Sequence, residues 1–368
     1  MRLVITHFIT GSALVAALFA GSFAQAAHKW NLKEGAPDLK SADRLAFGPD
    51  GVLFVGDTKG AAIFAIDTND AKGEAAKASY NIDGLNEKLA AAVGGSNVTV
   101  NDLAVNPASG NVYLAVTAGE AKTPALVRVS ADGKFTKLDL ANVPFQKAAI
   151  ANPPEDKVTG EGPRARNRRS EAITDMAYSQ GKVLIAGITA DQASSRVREY
   201  AFPFADGESS TNVEIYHAAH NKVEDYAAIR TFVPFTIDGQ PSLLAGFTCT
   251  PLVRFPLEGL KGEKVRGTTV AELGNRNTPL DMVVYEKGGE KYLLMTNSAR
   301  GVMKISTKDI GRKEGLTEAV PNGGTKGQTF ETVKDLEGTQ QLDRLNDAKA
   351  VVVIKQGDAL AMKTVDLP

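Results

Sequence analysis

Asp43-Arg-Leu-Ala-Phe-Gly-Pro-Asp-Gly-Val-Leu-Phe-Val-Gly-Asp57 contains an acid, an apolar stretch, a tight turn and a second apolar stretch in one short run. The same phrase returns from Asp102 through the turn at 106–110 to Val116, and from Asp175 through 179–181 to Ala186. It returns again from Asp225 to Ala245, from Asp281 to Met295, and from Asp347 to Met362. Apolar runs of strand length separated by Gly, Pro, Asn and Asp read as paired antiparallel strands. A unit that recurs about every 50 to 70 residues implies radial or linear stacking of equivalent modules.

A third strand follows the second in five units, at 62–66, 125–129, 196–200, 251–255 and 301–305. Arg128, Arg198, Arg254 and Lys304 hold the same place in it, which predicts one face inside and one in water. Weaker fourth strands read at 78–82, 135–140, 213–216, 268–272 and 330–333. Four antiparallel strands repeated six times describe an all-β fold, a six-bladed β-propeller. A misread unit would make five or seven blades, and a β-sandwich gives no reason for six equivalent phrases. The last unit runs out of chain before its outer strand. The segment Lys29-Trp-Asn-Leu-Lys33 is expected to supply it, closing the ring by pairing the two chain ends, with Trp30 packed in that blade.

Residues 1–26 read as a secretory signal: Arg2, an apolar stretch from Gly11 to Phe23, then Ala24-Gln-Ala26 before the cut. The remainder, 27–368, reads as a single propeller domain, exported to the periplasm or secreted, with no later stretch suited to span a bilayer. A net charge of −1 gives no general attraction to nucleic acid or to an anionic membrane. Cys249 is the only cysteine, so no intramolecular disulfide forms and a monomer must hold itself by packing. Three connections are long: 84–99, with a short helix expected from Gly84 to Val93; 141–170, read as a surface flap; and 310–326.

In a propeller the innermost strand starts at one face of the central channel. The leading acids Asp43, Asp102, Asp175, Asp225 and Asp281, with Asn101, are therefore expected to converge at one mouth, and Asp347 belongs to the same series. Oxygen ligands of that kind suit a hard divalent cation, Ca²⁺ or Mg²⁺ rather than Zn²⁺. The competing reading is turn chemistry, with Asp accepting from backbone N–H groups and the repeat copying that use into each blade. Loops after the second strands bring Asn297 and Arg300 to the same face. The cluster Arg164, Arg166, Arg168 and Arg169 lies in the 141–170 connection and can grip an anionic group or balance the acids. His217 and His220 stand three apart in a strand-to-loop segment and read as surface histidines.

The phrases 43–57 and Val100-Asn-Asp-Leu-Ala-Val-Asn-Pro107 resemble the NHL and SMP-30/gluconolactonase-like six-bladed propellers. The SMP-30 resemblance implies one divalent cation held by a Glu, Asn and Asp set that activates a lactone ester. Asn101 resembles the asparagine position, and Asp281 or Asp225 the late aspartate. The family's opening Glu-Gly-Pro is absent, with Asp43 near its place and Glu161-Gly-Pro163 in another context.

Two functions follow. The first is a binding module that holds a small molecule or a periplasmic protein at the acidic mouth, with the arginine flap and the loop pair Asn297 and Arg300 as contacts. The second is a metal-dependent lactonase, in which the cation polarises the ester carbonyl and lowers the pKa of a bound water. The residues leave open whether the chain is an enzyme.

Overall fold

The computed structural model describes residues 29–162, 165–191, 195–205, 207–249 and 251–368; the leader expected at 1–26 and Arg164 lie outside the described residues. Six antiparallel sheets stand around a central channel as a six-bladed propeller. We name the blades I to VI by the chain order of their innermost strands. These are Arg44–Phe47, Thr99–Val105, Asp175–Ser179, Ile229–Ile237, Pro279–Lys287 and Thr339–Arg344.

The order of blades around the ring differs from their order in the chain. The inner strands touch in the circuit I–III–IV–V–VI–II and back to I. Each junction has its own apolar cluster. Leu53, Phe64 and Tyr113 join I to II, and Phe54, Ile63 and Ile185 join I to III. Val213 and Phe255 join III to IV, and Leu252 and Met295 join IV to V. Leu294 and Val352 join V to VI, while Leu114 and Val353 join VI to II. A blade uses both faces of its sheet for this packing, so its strands are apolar on both sides. The expectation of a wet face on the third strands fails for that reason in blades III and IV, while Arg128 and Lys304 stay half-buried. Arg198 and Arg254 are buried there, and both donate to backbone carbonyls: Arg198 to Ile188 at 3.1 Å, Arg254 to Gly311 at 3.0 Å.

Blades VI and I take their fourth strands from separated pieces of chain. Blade VI is completed by Asn81–Ile82, which pairs antiparallel with Ala359–Asp366 at Ile82↔Met362 and Asn81↔Lys363. Blade I takes its fourth strand from Val143–Ala149, inside the connection read as a flap, at Phe145↔Ile66 and Ala149↔Ala62. The segment expected to close the ring leads instead into Lys33–Gly35, which lies outside Val143–Ala149 on blade I. Trp30 accordingly stacks beside Phe202, at 5.5 Å, in the cluster of blades I and III.

The crossing from blade I past blade II to blade VI is anchored by polar groups. Asp70 is buried against the first turn of blade II. Its Oδ2 accepts from Ser109 Oγ, Asn111 Nδ2 and Tyr113 Oη, each at 2.9 Å. Tyr80 Oη donates to the Gly110 carbonyl at 2.7 Å. Gly110 has φ +77, and a Cβ there would meet Ala75 Cα at 2.8 Å, so this turn needs glycine for two reasons. The expected helix forms at Leu85–Val93, between left-handed Gly84 and Gly94, and buries Leu85 and Leu89 beside blades II and VI. The connection at 310–326 runs back over blade IV and ends in Thr325–Gly327 on that blade's edge.

The discontinuous closure has a direct test. Cysteines at Asn81 and Lys363 face each other only if the strand before the helix completes blade VI. The N81C/K363C protein should oxidise to a faster-migrating species and gain about 2–4 kcal/mol against urea. Absence of that cross-link under conditions that oxidise a control pair would contradict the pairing.

Candidate functional site

Every innermost strand exposes one unpaired edge to the channel, and unpaired strand edges carry free N–H and C=O groups. One layer near the start of these strands deals with that problem. The layer consists of the residues just before Leu45, Met176, Phe232, Met282, Leu342 and Leu103. In ring order these are Arg44 on I, Asp175 on III, Thr231 on IV, Asp281 on V, Gln341 on VI and Asp102 on II. Aspartates occupy every other blade. Register shifts lie at Val100/Asp102, Ile229/Thr231, Pro279/Asp281 and Thr339/Gln341, so the bulges coincide with this layer. A bulge re-aims the side chain that follows it.

Each ring aspartate reaches forward to the next blade. Asp175 Oδ2 accepts from Phe232 N at 2.7 Å, Asp281 Oδ2 from Leu342 N at 2.9 Å, and Asp102 Oδ2 from Leu45 N at 2.7 Å. Asp343, two residues further along blade VI, continues the pattern by accepting from Val105 N on blade II at 2.8 Å. Arg44 closes the remaining side of blade I. Its Nε donates to Thr174 O at 2.5 Å and its Nη1 to Asn101 O at 3.1 Å, tying blades III, I and II together. With its amide nitrogen turned to the acids, Gln341 donates to Asp102 Oδ1 at 2.9 Å and Asp281 Oδ2 at 3.2 Å.

Removal from water dominates the electrostatics here. Burial pushes Asp102 up to about 7, against the pull of the Arg44 guanidinium. Burial raises Asp281 well above the usual carboxylate range, and the neighbouring Asp102 charge adds to that. Asp175 is raised by burial although Phe232 N–H and Arg44 oppose it, and Asp343 is pushed up by burial to about 6. The channel walls surround these groups closely enough to limit hydration even where part of the side chain still faces the channel.

A cavity of about 1190 Å³ runs from this layer toward the face where the inner strands end. Asp102, Asp175 and Asp281 lie at its inner end; Asp343, Phe47, Phe235, Tyr178 and Val105 line its wall; Lys291, Arg344 and Asp347 are among its outer residues. Carboxylates therefore form a floor, and the opening lies on the face opposite to the one the sequence suggested.

The expected site residues separate accordingly. Asp102, Asp175 and Asp281 come together. Asp43 does not join them: its Oδ2 accepts from Ser41 Oγ at 2.5 Å and Thr58 N at 3.1 Å. Asp225 pairs with Lys264 at 2.7 Å, away from the ring. Asp347 sits at the hairpin after the inner strand of blade VI and pairs with Arg344 at 2.7 Å. Asn101 bridges blades I and II through Nδ2, to Ala42 O at 2.7 Å and Thr117 Oγ1 at 2.8 Å. Asn297 is buried, donating to Asn277 Oδ1 at 3.0 Å and accepting from the Arg300 N–H at 3.2 Å; Arg300 lies over Gly274. Arg169 bolts the 141–170 connection down, with Nη1 on Lys59 O at 3.0 Å. Arg168 faces Glu171 at 3.7 Å, and Arg166 is exposed on a small hairpin with Val158–Thr159. None of these arginines lines the cavity. The recurring acid does not mark Arg44 or Gln341, which carry no carboxylate, and Asp343 lies one strand ahead of the phrase that starts at Asp347.

The resemblance implies a divalent cation on oxygen ligands in such a channel. The ring's donor set does not fit one. Each aspartate spends one oxygen on a neighbouring blade, and Asp175 and Asp281 spend the other on the next N–H of their own strand, at 2.8 Å each.

No family model matches the chain, and no curated protein matches it. Solved structures with a similar arrangement include a Kuenenia stuttgartiensis hydrazine synthase, at 11% identity, covering 90% of this chain and 97% of that one with a TM-score of 0.38. A streptogramin B lyase has 9% identity, 91% and 97% coverage and a TM-score of 0.37. A hypothetical protein from Leishmania major has 9% identity, 79% and 87% coverage and a TM-score of 0.34. Likeness at this level carries no functional argument.

The raised acids make a pH prediction. An aspartate whose pKa is higher in the folded state holds a proton that the unfolded chain has released. Its stabilising share is complete below about pH 4, the unfolded value, and is lost as pH rises through the folded value, about 7 for Asp102. Asp102→Asn keeps an acceptor for Leu45 N and cannot ionise. The stability difference between wild type and Asp102→Asn, from urea midpoints, should therefore move in the variant's favour from pH 5 to pH 8. A constant difference over that range would contradict the raised pKa.

Proposed function

We propose that the protein is a binding propeller whose channel cavity takes a small amphipathic molecule with a cationic or hydrogen-donating head. The observation that carries this reading is the pairing of acids at the inner end with Phe47, Tyr178 and Phe235 on the wall of one channel cavity. Pockets for small molecules combine mostly apolar walls with a few placed polar groups. The floor holds Asp102, Asp175 and Asp281, Asp343 stands on the wall above them, and the Arg44 guanidinium lies behind the floor, near Asp102 and Asp175. Burial suppresses the charge of these acids, and a bound ammonium would restore it by opposite-charge attraction. The lactonase alternative rests on the resemblance, and the ring's committed oxygens give it no added support. Retention of Ca²⁺, Mn²⁺ or Zn²⁺ in the channel with lactone hydrolysis would favour it.

Isothermal titration with benzylamine and its neutral counterpart benzyl alcohol tests the binding reading. The amine should bind more tightly and release protons at pH 6, and Asp343→Asn or Phe235→Ala should weaken it. Equal affinity for the two compounds, or binding unchanged in both variants, would overturn the assignment.

A further inference from the structure

A second group of chemistry-bearing side chains lies away from the channel, at the outer edge between blades III and IV. His217 ends the outer strand Ser209–His217 of blade III. A short 3-10 turn at Ala218–His220 follows, and left-handed Asn221 reverses the chain into Lys222–Glu224. This hairpin folds both imidazoles toward one carboxylate. His217 Nδ1 lies 2.9 Å from Glu224 Oε2, and His220 Nδ1 lies 2.7 Å from Glu224 Oε1. The surface reading of the two histidines holds for His220 alone, since His217 and Glu224 are buried.

We propose that His217, His220 and Glu224 bind one divalent transition metal, zinc foremost, with Glu272 as the outer acceptor that fixes the His217 ring. One ligand atom from each of the three residues falls within 4.8 Å of the others. Two imidazole nitrogens and one carboxylate oxygen suit zinc, with a fourth position left for water. Metal–ligand bonds of about 2.0–2.2 Å place such atoms roughly 3.3 Å apart, so each histidine–Glu224 pair would open by a few tenths of an ångström, with the ion taking one or both of the Glu224 oxygens that the two rings now share out.

The independent observation is a pair of buried polar atoms without hydrogen-bond partners, His217 Nε2 and Glu272 Oε2. His217 is 3% exposed and Glu272 1%, and His217 Nε2 stands 3.9 Å from Glu272 Oε1. With no metal, a neutral His217 must keep its proton on Nδ1 to donate to Glu224. That leaves a bare nitrogen 3.9 Å from Glu272 Oε1, with no hydrogen bond between them. A metal on Nδ1 moves the ring proton to Nε2, where it points at Glu272. A carboxylate–histidine–metal relay of the kind that orients ligating imidazoles would then form once the ring and Glu272 close from 3.9 Å to hydrogen-bond distance. Glu272 Oε1 is held in place by Ala218 N at 2.7 Å and Ala219 N at 3.3 Å. Access is provided by His220, whose side chain is 47% exposed. The competitor for the site is Lys222, whose Nζ lies 3.4 Å from Glu224 Oε1.

The test uses the full chain, stripped by chelator and titrated with ZnCl₂ by calorimetry, with the visible bands of added Co²⁺ reporting coordination. Wild type should take one zinc per chain. His220→Gln changes an exposed side chain, and with an unaltered circular-dichroism spectrum and melt it should lose most of the affinity and the Co²⁺ bands. Glu272→Gln should weaken binding by about 10–100-fold. Lys222→Ala should tighten it, which a purely structural role for the cluster would not produce. Absence of zinc uptake by wild type, or equal uptake by wild type and His220→Gln, would overturn the proposal. The outcome is independent of what the channel binds.

Discussion

The constraint on which this propeller depends is the free edge of its six innermost strands. A closed ring of radial sheets buries every blade face against a neighbour, but it leaves an inward row of unpaired backbone groups around a channel too confined for full hydration. Asp102, Asp175, Asp281 and Asp343 answer this by accepting from N–H groups of the next blade, always in the same rotational sense. Each bond therefore does two things: it satisfies an edge donor and it links two sheets that share no ladder. Apolar packing between blades sets their spacing, and the carboxylates set their register around the axis.

Placing acids there brings repulsion, and the alternation of residue types limits it. An aspartate on all six blades would set like charges side by side in a dehydrated space, where such repulsion is strong. With Arg44, Thr231 and Gln341 on the intervening blades, each acid has a neighbour that can donate a hydrogen bond or carry positive charge. The residual strain appears as raised pKa values, and at Asp281 the Asp102 charge adds to the effect of burial. Burial thus disfavours the charged form of each ring acid, and a positive charge entering the cavity above would favour it.

The blade count, the third strands and the short helix were legible in the sequence because each depends on local pattern: period-two apolar runs, turn residues and two flanking glycines. The ring order was not legible, because it is decided by which distant strand fills a vacant edge. Asn81–Ile82 is as good a fourth strand for blade I as for blade VI by composition, and the buried anchor at Asp70 is what carries the chain past blade II. The same limit applies to the site. In blades II, III and V the phrase led straight to the ring acids. In blade IV Thr231 occupies the place, six residues beyond the acid that was followed. In blade VI the phrase was read one strand too late, at 347 rather than at the strand Thr339–Arg344.

The two histidines show why spacing alone undervalued a site. Three residues apart on a strand they would face different ways, and no local pattern marks the 3-10 turn and left-handed Asn221 that fold them together. Glu224 is close in sequence, but Glu272 comes from the next blade and meets His217 only because blades III and IV pack at their outer edges. Inter-blade packing therefore creates chemistry at both ends of a blade. Near the axis it combines acids with backbone donors, and there most of the carboxylate oxygens already accept a hydrogen bond. At the rim it brings a buried imidazole against a buried carboxylate whose outer oxygen has no partner, and there the bonding capacity is still open. By this reasoning the oxygen-rich centre, which attracts attention first, is the less suitable place for a metal, and the nitrogen-bearing rim is the better one.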